Sequence, residues 1–253
     1  VMANRYRAIL NKFMNWCADK GYIETVPPIP NAGKEKSRDR TLNDQELIDV
    51  WRAAEFKDNI FQPFIKLLIL TGQRRSEVVG MRWNELHDLD GKNPFWTIPA
   101  ERSKNGQAHE VPLSQQAVNV INTIPRIANS PYCFTTTGTT PVSGISKLKT
   151  TLDKAIQDIR NTEDRDPMPA WKLHDLRRTA ASGMAALNVP PHVVEKILNH
   201  TSGTISGVAA VYNRHDYAQE KRTALEQWGS YVERLITQSV DEDNVVQLEA
   251  ARK

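Results

Sequence analysis

Apolar residues in this chain recur every three to four positions, except between Asn84 and Leu113, where they alternate. That change of period confines β structure to one short block and leaves the rest to helices. Within the block, Asn84–Asp90, Phe95–Pro99 and Ala108–Leu113 alternate as strands. Gly91 and the pair Asn105-Gly106 mark the turns, and Asn-Gly is a strong hairpin signal. The expected fold class is therefore α+β, mainly helical, with a small three-stranded antiparallel sheet.

The helical segments are punctuated clearly. Residues 3–20 carry the stripe Ile9, Leu10, Phe13, Met14, Trp16 and Cys17, with Gly21 as C-cap. Residues 26–40 are rich in Pro and charge, without period, and read as a linker. Helix 43–55 opens on Asn43 with Glu46 as its capping-box partner and buries Leu47, Val50 and Trp51. Helix 59–71 buries Phe61, Phe64, Ile65, Leu68 and Ile69 and breaks at Gly72; a short helix follows from Arg74. Beyond the sheet, helices are expected at 114–124, 144–160, around Trp171–Ser182, at 192–199, 206–213 and 216–236. Ser130–Thr140 and Asn161–Ala170 read as loops.

The length of 253 residues admits one or two domains. No apolar run reaches the ~20 residues that span a bilayer; Phe64–Leu70 is the longest and holds Lys66. No secretory signal opens the chain, and a start at Val1 inside a helix suggests a piece of a longer protein. Cys17 and Cys133 are the only cysteines, which argues against a disulfide framework and for a reducing, cytoplasmic setting. No histidine pair has zinc-like spacing with a third ligand, so neither metal nor cofactor is expected. Net charge is +3; residues 1–40 carry eight Lys/Arg against four Asp/Glu, and residues 241–253 two against four. The basic linker, with Lys34, Lys36, Arg38 and Arg40, suits a phosphate backbone.

One stretch concentrates chemistry. In Trp171–Ser182, His174 and Arg177 are three residues apart and share a helix face, while Leu173, Leu176 and Ala180 hold the helix to a core. An imidazole beside a guanidinium can grip the free oxygens of a phosphate as charge builds on it. Elsewhere the chain offers Arg74, Lys104, His200 and Tyr212. Each has a plainer reading when taken alone. Arg74 precedes Glu77 and could be an ordinary ion pair; Lys104 could solubilise a turn; His174 could be a core histidine. His200 could cap a helix end, and Tyr212 could be a core aromatic. Trp171 and Trp228 read as core, Tyr217 as a rival hydroxyl expected to pack, and His87, His109, His192 and His215 receive no role.

Four segments together resemble the tyrosine recombinases, or phage-type integrases. They are Thr71-Gly-Gln-Arg-Arg-Ser-Glu-Val-Val-Gly-Met-Arg-Trp83, Ser103-Lys-Asn-Gly106, His174-Asp-Leu-Arg-Arg-Thr179, and Leu198-Asn-His200 followed by Tyr212-Asn-Arg. The run Tyr212–Tyr217 looks most like integrases of prophages and genomic islands. The resemblance implies a catalytic domain over 41–235, a helix at 1–25 that closes a truncated core-binding domain, the linker 26–40, and a C-terminal tail over 236–253 that docks on a neighbouring protomer. It carries the catalytic roles to Arg74, Lys104, His174, Arg177, His200 and Tyr212. Two departures stand out: Asn199 where the family usually has Gly, and Gln73 where an aliphatic is common.

A tyrosine hydroxyl can attack a phosphodiester and store the broken bond's energy as a phosphotyrosine, with no need of ATP or metal. Two arginines neutralise the phosphate, a lysine protonates the departing oxygen, and histidines exchange protons. Arg75 and Arg178 are expected at the DNA backbone, and Glu77 is expected to orient an arginine. The implied activity is integration or excision of a mobile element on duplex DNA at attachment sites, by a protein that is monomeric in solution and tetrameric on DNA. Accessory DNA-bending proteins are candidate further partners, no membrane is involved, and the setting is a prokaryotic cytoplasm. The rival readings are a type IB topoisomerase-like relaxation and a non-catalytic DNA-binding accessory protein.

Overall fold

A computed structural model describes residues 2–31, 33, 39–55, 60–200 and 216–243, the last five as backbone only. The chain divides into two units, Val1–Asp39 and Arg40–Lys253. The first is built on α1 (Met2–Asp19). Gly21 ends α1 at φ +72, donating to the Ala18 carbonyl while Tyr22 donates to that of Cys17. These are the two bonds of a Schellman cap, which needs a residue without Cβ strain at that φ.

The second unit begins with α2 (Asp44–Glu55). Asn43 and Glu46 form the expected capping box, each side chain accepting from the other's backbone N–H at 2.9 Å. Then come α3 (Phe61–Thr71), α4 (Arg75–Val79), a 3₁₀ turn (Trp83–Glu85), β1 (Leu86–His87), β2 (Phe95–Ile98), β3 (His109–Pro112) and α5 (Gln115–Asn122). After them run α6 (Ile145–Thr162), α7 (Leu173–Ala186), α8 (Pro191–Ile197) and α9 (Ala218–Asp243). The sheet is antiparallel in the order β1-β2-β3, with Leu86 opposite Trp96 and Ile98 opposite His109.

Helix α3 is the centre of this unit. Its period suggests one buried face, yet Phe64, Ile65, Leu67, Leu68, Ile69 and Leu70 are all buried. A helix that is apolar all round has neighbours all round, and α3 packs on α2, α5, α7 and α9. Its carboxyl end leaves carbonyls without helical partners. Side chains take them up: Thr71 Oγ1 donates to Leu67, Trp228 Nε1 to Ile69, Gln73 Nε2 to Thr71 and Arg177 Nη1 to Gly72. Gly72 sits at φ +63, and a Cβ there would lie 3.3 Å from both Ala180 and Leu198. The turn thus needs glycine for its conformation and for the closeness of α7 and α8.

Three expectations are revised. The first strand shrinks to Leu86–His87: Trp83–Glu85 coil as a 3₁₀ turn, and Asp88 turns the chain at φ +54. The last helix runs to Asp243 rather than stopping near residue 236. The charged loop 161–170 is partly pinned, because α6 continues to Thr162 and Arg165 reaches buried Asp49 at 2.6 Å, beside Arg160 at 2.7 Å. The expected helix 206–213 lies outside the described residues.

Candidate active site

The site forms where the ends of α3 and α8 meet the side of α7. Arg177, on α7, is buried among helix ends. It donates to Gly72 O at 2.9 Å and to Leu198 O. Both acceptors belong to helix carboxyl ends, whose partial negative charge favours a cation. Burial is the main cause that lowers its pKa to about 10, with the nearby Arg74 adding to the effect and Glu77 and Glu195 opposing it. The guanidinium therefore keeps its charge at neutral pH while having little water to satisfy it.

Arg74 precedes α4. Buried Glu77 accepts from its backbone N–H and from its Nη1, both at 2.9 Å. Its Nη2 lies 3.5 Å from Asn199 O, at the limit of hydrogen bonding. The carboxylate fixes both the start of α4 and the direction of the arginine.

The end of α8 is gripped at three successive carbonyls. His109 Nε2 and Gln73 Nε2 each lie 2.9 Å from Ile197 O, Arg177 takes Leu198 O, and Arg74 approaches Asn199 O. Asn199 ends the helix at φ +50, and His200 N closes the cap on Glu195 O at 3.0 Å. His200 follows directly, exposed, with Nδ1 2.7 Å from Glu195 Oε2.

An open cleft of about 600 Å³ lies beside this assembly. Arg74, Arg75, Lys104, Lys149, Lys172 and His174 line it, together with Ser76, Ser146 and Trp171. Every titratable group on that lining is basic. Lys104 sits at the tip of the β2–β3 loop, in a turn closed by Gly106 N donating to Ser103 O at 3.1 Å. His174 is an exposed residue of α7 rather than a core histidine. Lost hydration, then Arg178, Arg177 and Arg74, lower its pKa, with Asp175 opposing. At neutral pH the ring is uncharged and able to accept a proton.

The remaining sequence candidates separate. Arg178 is half-buried and bonded to Asp175 at 2.7 Å. Arg40 pairs with buried Glu46 at 2.6 Å, so its side chain serves the start of α2. Tyr217 packs on His192, ring centres 5.0 Å apart. Trp171 is in the core as expected and carries Lys149 over its ring at 4.2 Å. Tyr212, Lys34, Lys36 and Arg38 lie outside the described residues.

Sequence reasoning missed His109, Lys149 and Lys172. For His109 a signal existed: it is two residues before Val111 on β3 and so shares the inward face. Its burial drives its pKa down to about 4. Lys149, four residues before Asp153, reads as a solvated helix pair, and nothing local shows that α6 borders a cleft.

A helical domain with a three-stranded sheet beside its cleft is the fold of the tyrosine recombinase catalytic domain. It is shared with a lambda integrase dimer bound to a COC′ core site, at TM-score 0.56 and 20% identity over 79% of this chain and 72% of that one. The integrase from mycobacterium phage Brujita aligns at TM-score 0.56 and 18% identity, over 92% of this chain and 75% of the other. The model of the phage integrase family matches residues 42–219, and the chain belongs to that family. Among curated relatives, Prophage integrase IntA of Escherichia coli (strain K12) is 27% identical over 233 residues, 88% of this chain and 52% of IntA. The integrase of Shigella phage Sf6 is 23% identical over 168 residues, 66% of this chain and 40% of that protein. The chain spans about half the length of the curated relatives it matches. Among the described residues, no helix is long and apolar enough to cross a membrane.

Proposed function

We propose that this chain carries the catalytic part of a site-specific DNA recombinase that cuts and rejoins strands through a covalent 3′-phosphotyrosine on Tyr212. One observation carries the reading. Arg74, Lys104 and His174, drawn from three separate sequence segments, line one cleft without an acid among its titratable residues, and Arg177 lies one turn along α7. Such a cleft suits a scissile phosphate. In this reading the guanidinium N–H groups of Arg74 and Arg177 not used on protein acceptors neutralise its oxygens as phosphorus becomes five-coordinate. Tyr212 attacks phosphorus, and the P–O5′ bond breaks. The 5′-oxygen leaves with the electron pair and takes a proton from Lys104 Nζ. His174 and His200 hydrogen-bond the phosphate or relay the tyrosine proton. A free 5′-hydroxyl from a partner strand then reverses the step.

Duplex DNA is the partner this chemistry requires. Assembly of four protomers on two duplexes, in the manner of the lambda integrase tetramer bound to a Holliday junction, fits the requirement for a second strand. The linker Lys34, Lys36, Arg38 and the cleft residue Arg75 would follow the backbone. Covalent trapping tests the reading. The full chain is mixed with nicked suicide duplexes from the DNA flanking its own gene and run on denaturing gels, beside Tyr212→Phe and Tyr217→Phe. An adduct lost only in Tyr212→Phe is expected. Loss only in Tyr217→Phe would move the nucleophile by five residues, and DNA binding with no adduct from any variant would leave a binding module.

A further inference from the structure

Two departures from the family pattern, Gln73 and Asn199, meet at the end of α8. Asn199 adopts φ +50, a left-handed conformation that glycine takes at no cost and asparagine better than most residues. Glycine would satisfy the turn and nothing more. The asparagine side chain also makes bonds that glycine cannot. Its Oδ1 accepts from Asn105 Nδ2 at 2.6 Å, and its Nδ2 donates to Ser103 Oγ at 3.0 Å and towards Asn105 Oδ1 at 3.3 Å. Ser103 Oγ in turn donates to Asn105 Oδ1 at 2.7 Å. The two partners flank Lys104 on either side. At its base the same loop is held separately, where Arg102 Nε donates to Glu85 at 3.1 Å and Nη1 to Glu77 O at 3.2 Å. The tip therefore depends on Asn199.

We propose that Asn199 is a positioning residue: it fastens the Ser103–Gly106 turn to the gripped end of α8 and so holds the Lys104 ammonium at the cleft. The role rests on the reading of Lys104 as the proton donor. Loss of two or three neutral hydrogen bonds shifts a docked–undocked equilibrium by roughly a hundredfold. A loop that is undocked most of the time leaves the 5′-oxygen to depart without its proton. No part of the phosphate grip is affected, because Arg74 and Arg177 hold α8 through backbone carbonyls that Asn199→Gly leaves in place.

A substrate whose leaving group needs no proton separates this role from a structural one. Once the cleaved position is mapped, suicide duplexes are made with oxygen or with sulfur at the bridging 5′ position. A 5′-thiolate departs unprotonated because a thiol is far more acidic than an alcohol. Asn199→Gly fits the backbone conformation and is expected to fold. In single-turnover trapping it is expected to slow cleavage of the oxygen duplex about tenfold, the equivalent of about 1.4 kcal/mol, and to cut the sulfur duplex within about twofold of wild type. Asn105→Ala, which removes the other end of the bond, should reproduce the pattern, and Lys104→Ala should deepen it to about a hundredfold. Wild-type cleavage of the oxygen duplex by Asn199→Gly would overturn the proposal, as would equal slowing on both duplexes. Absence of any adduct from the wild type on either duplex would overturn the covalent mechanism itself and this role with it, an outcome distinct from both.

Discussion

Two sides of the cleft use their donor side chains differently. On the arginine side, Arg177, Gln73 and His109 are buried, and each donates to carbonyls at the ends of α3 or α8. On the lysine side, Lys104, Lys172 and Arg75 are exposed, and Lys149 is shared between Asp153 at 2.5 Å and the face of Trp171. A buried donor leaves an unsatisfied carbonyl behind when it is removed, so its loss affects folding and chemistry together. An exposed ammonium is solvated with or without a ligand, and its loss should register only when polyanion is bound. The first side fixes geometry; the second supplies a field.

Arg177→Ala should break the arginine side most severely. It removes one of the two proposed phosphate-binding arginines and strands the Gly72 and Leu198 carbonyls. We expect adduct formation to fall by about 10²–10³ and urea unfolding to show a loss of about 3 kcal/mol. A variant with full stability and no activity would mean that the two carbonyls find other partners.

His109 sharpens the same contrast through pH. Its folded pKa is lowered from 6.5 to about 4, so below pH 6.5 the unfolded chain binds the proton first. Stability is then present above pH 6.5 and lost as pH falls towards 4, by up to about 3 kcal/mol from this group. Urea midpoints measured between pH 7 and 4 should fall steeply for the wild type and less for His109→Gln. Parallel curves would show that other groups dominate acid sensitivity.

The smallest effect belongs to the lysine side. Lys149→Gln should leave the unfolding free energy measured in urea within about 0.5 kcal/mol of wild type. It should weaken binding to duplex DNA several-fold and reduce the slope of log K against log salt by about one. An unchanged slope would assign Lys149 to Asp153 and Trp171 alone.

Much of this was legible in the chain itself. The change of period placed a three-stranded sheet among helices, and Asn43 with Glu46 announced the start of α2 correctly. The four motif segments supplied most of the side chains of the proposed site, because residue type and helical spacing are local properties. Their convergence was not legible. That Arg177 reaches both Gly72 and Leu198, 105 and 21 residues away, follows from how α3, α7 and α8 pack. The same packing turned His109 inward, set Lys149 against the cleft, and made a tether of Asn199, which in sequence is only a missing glycine. Local periodicity fixes what each segment is. The long-range closure of helix ends on one another fixes which side chains must satisfy stranded carbonyls and which remain for a ligand, and only the folded chain holds that information.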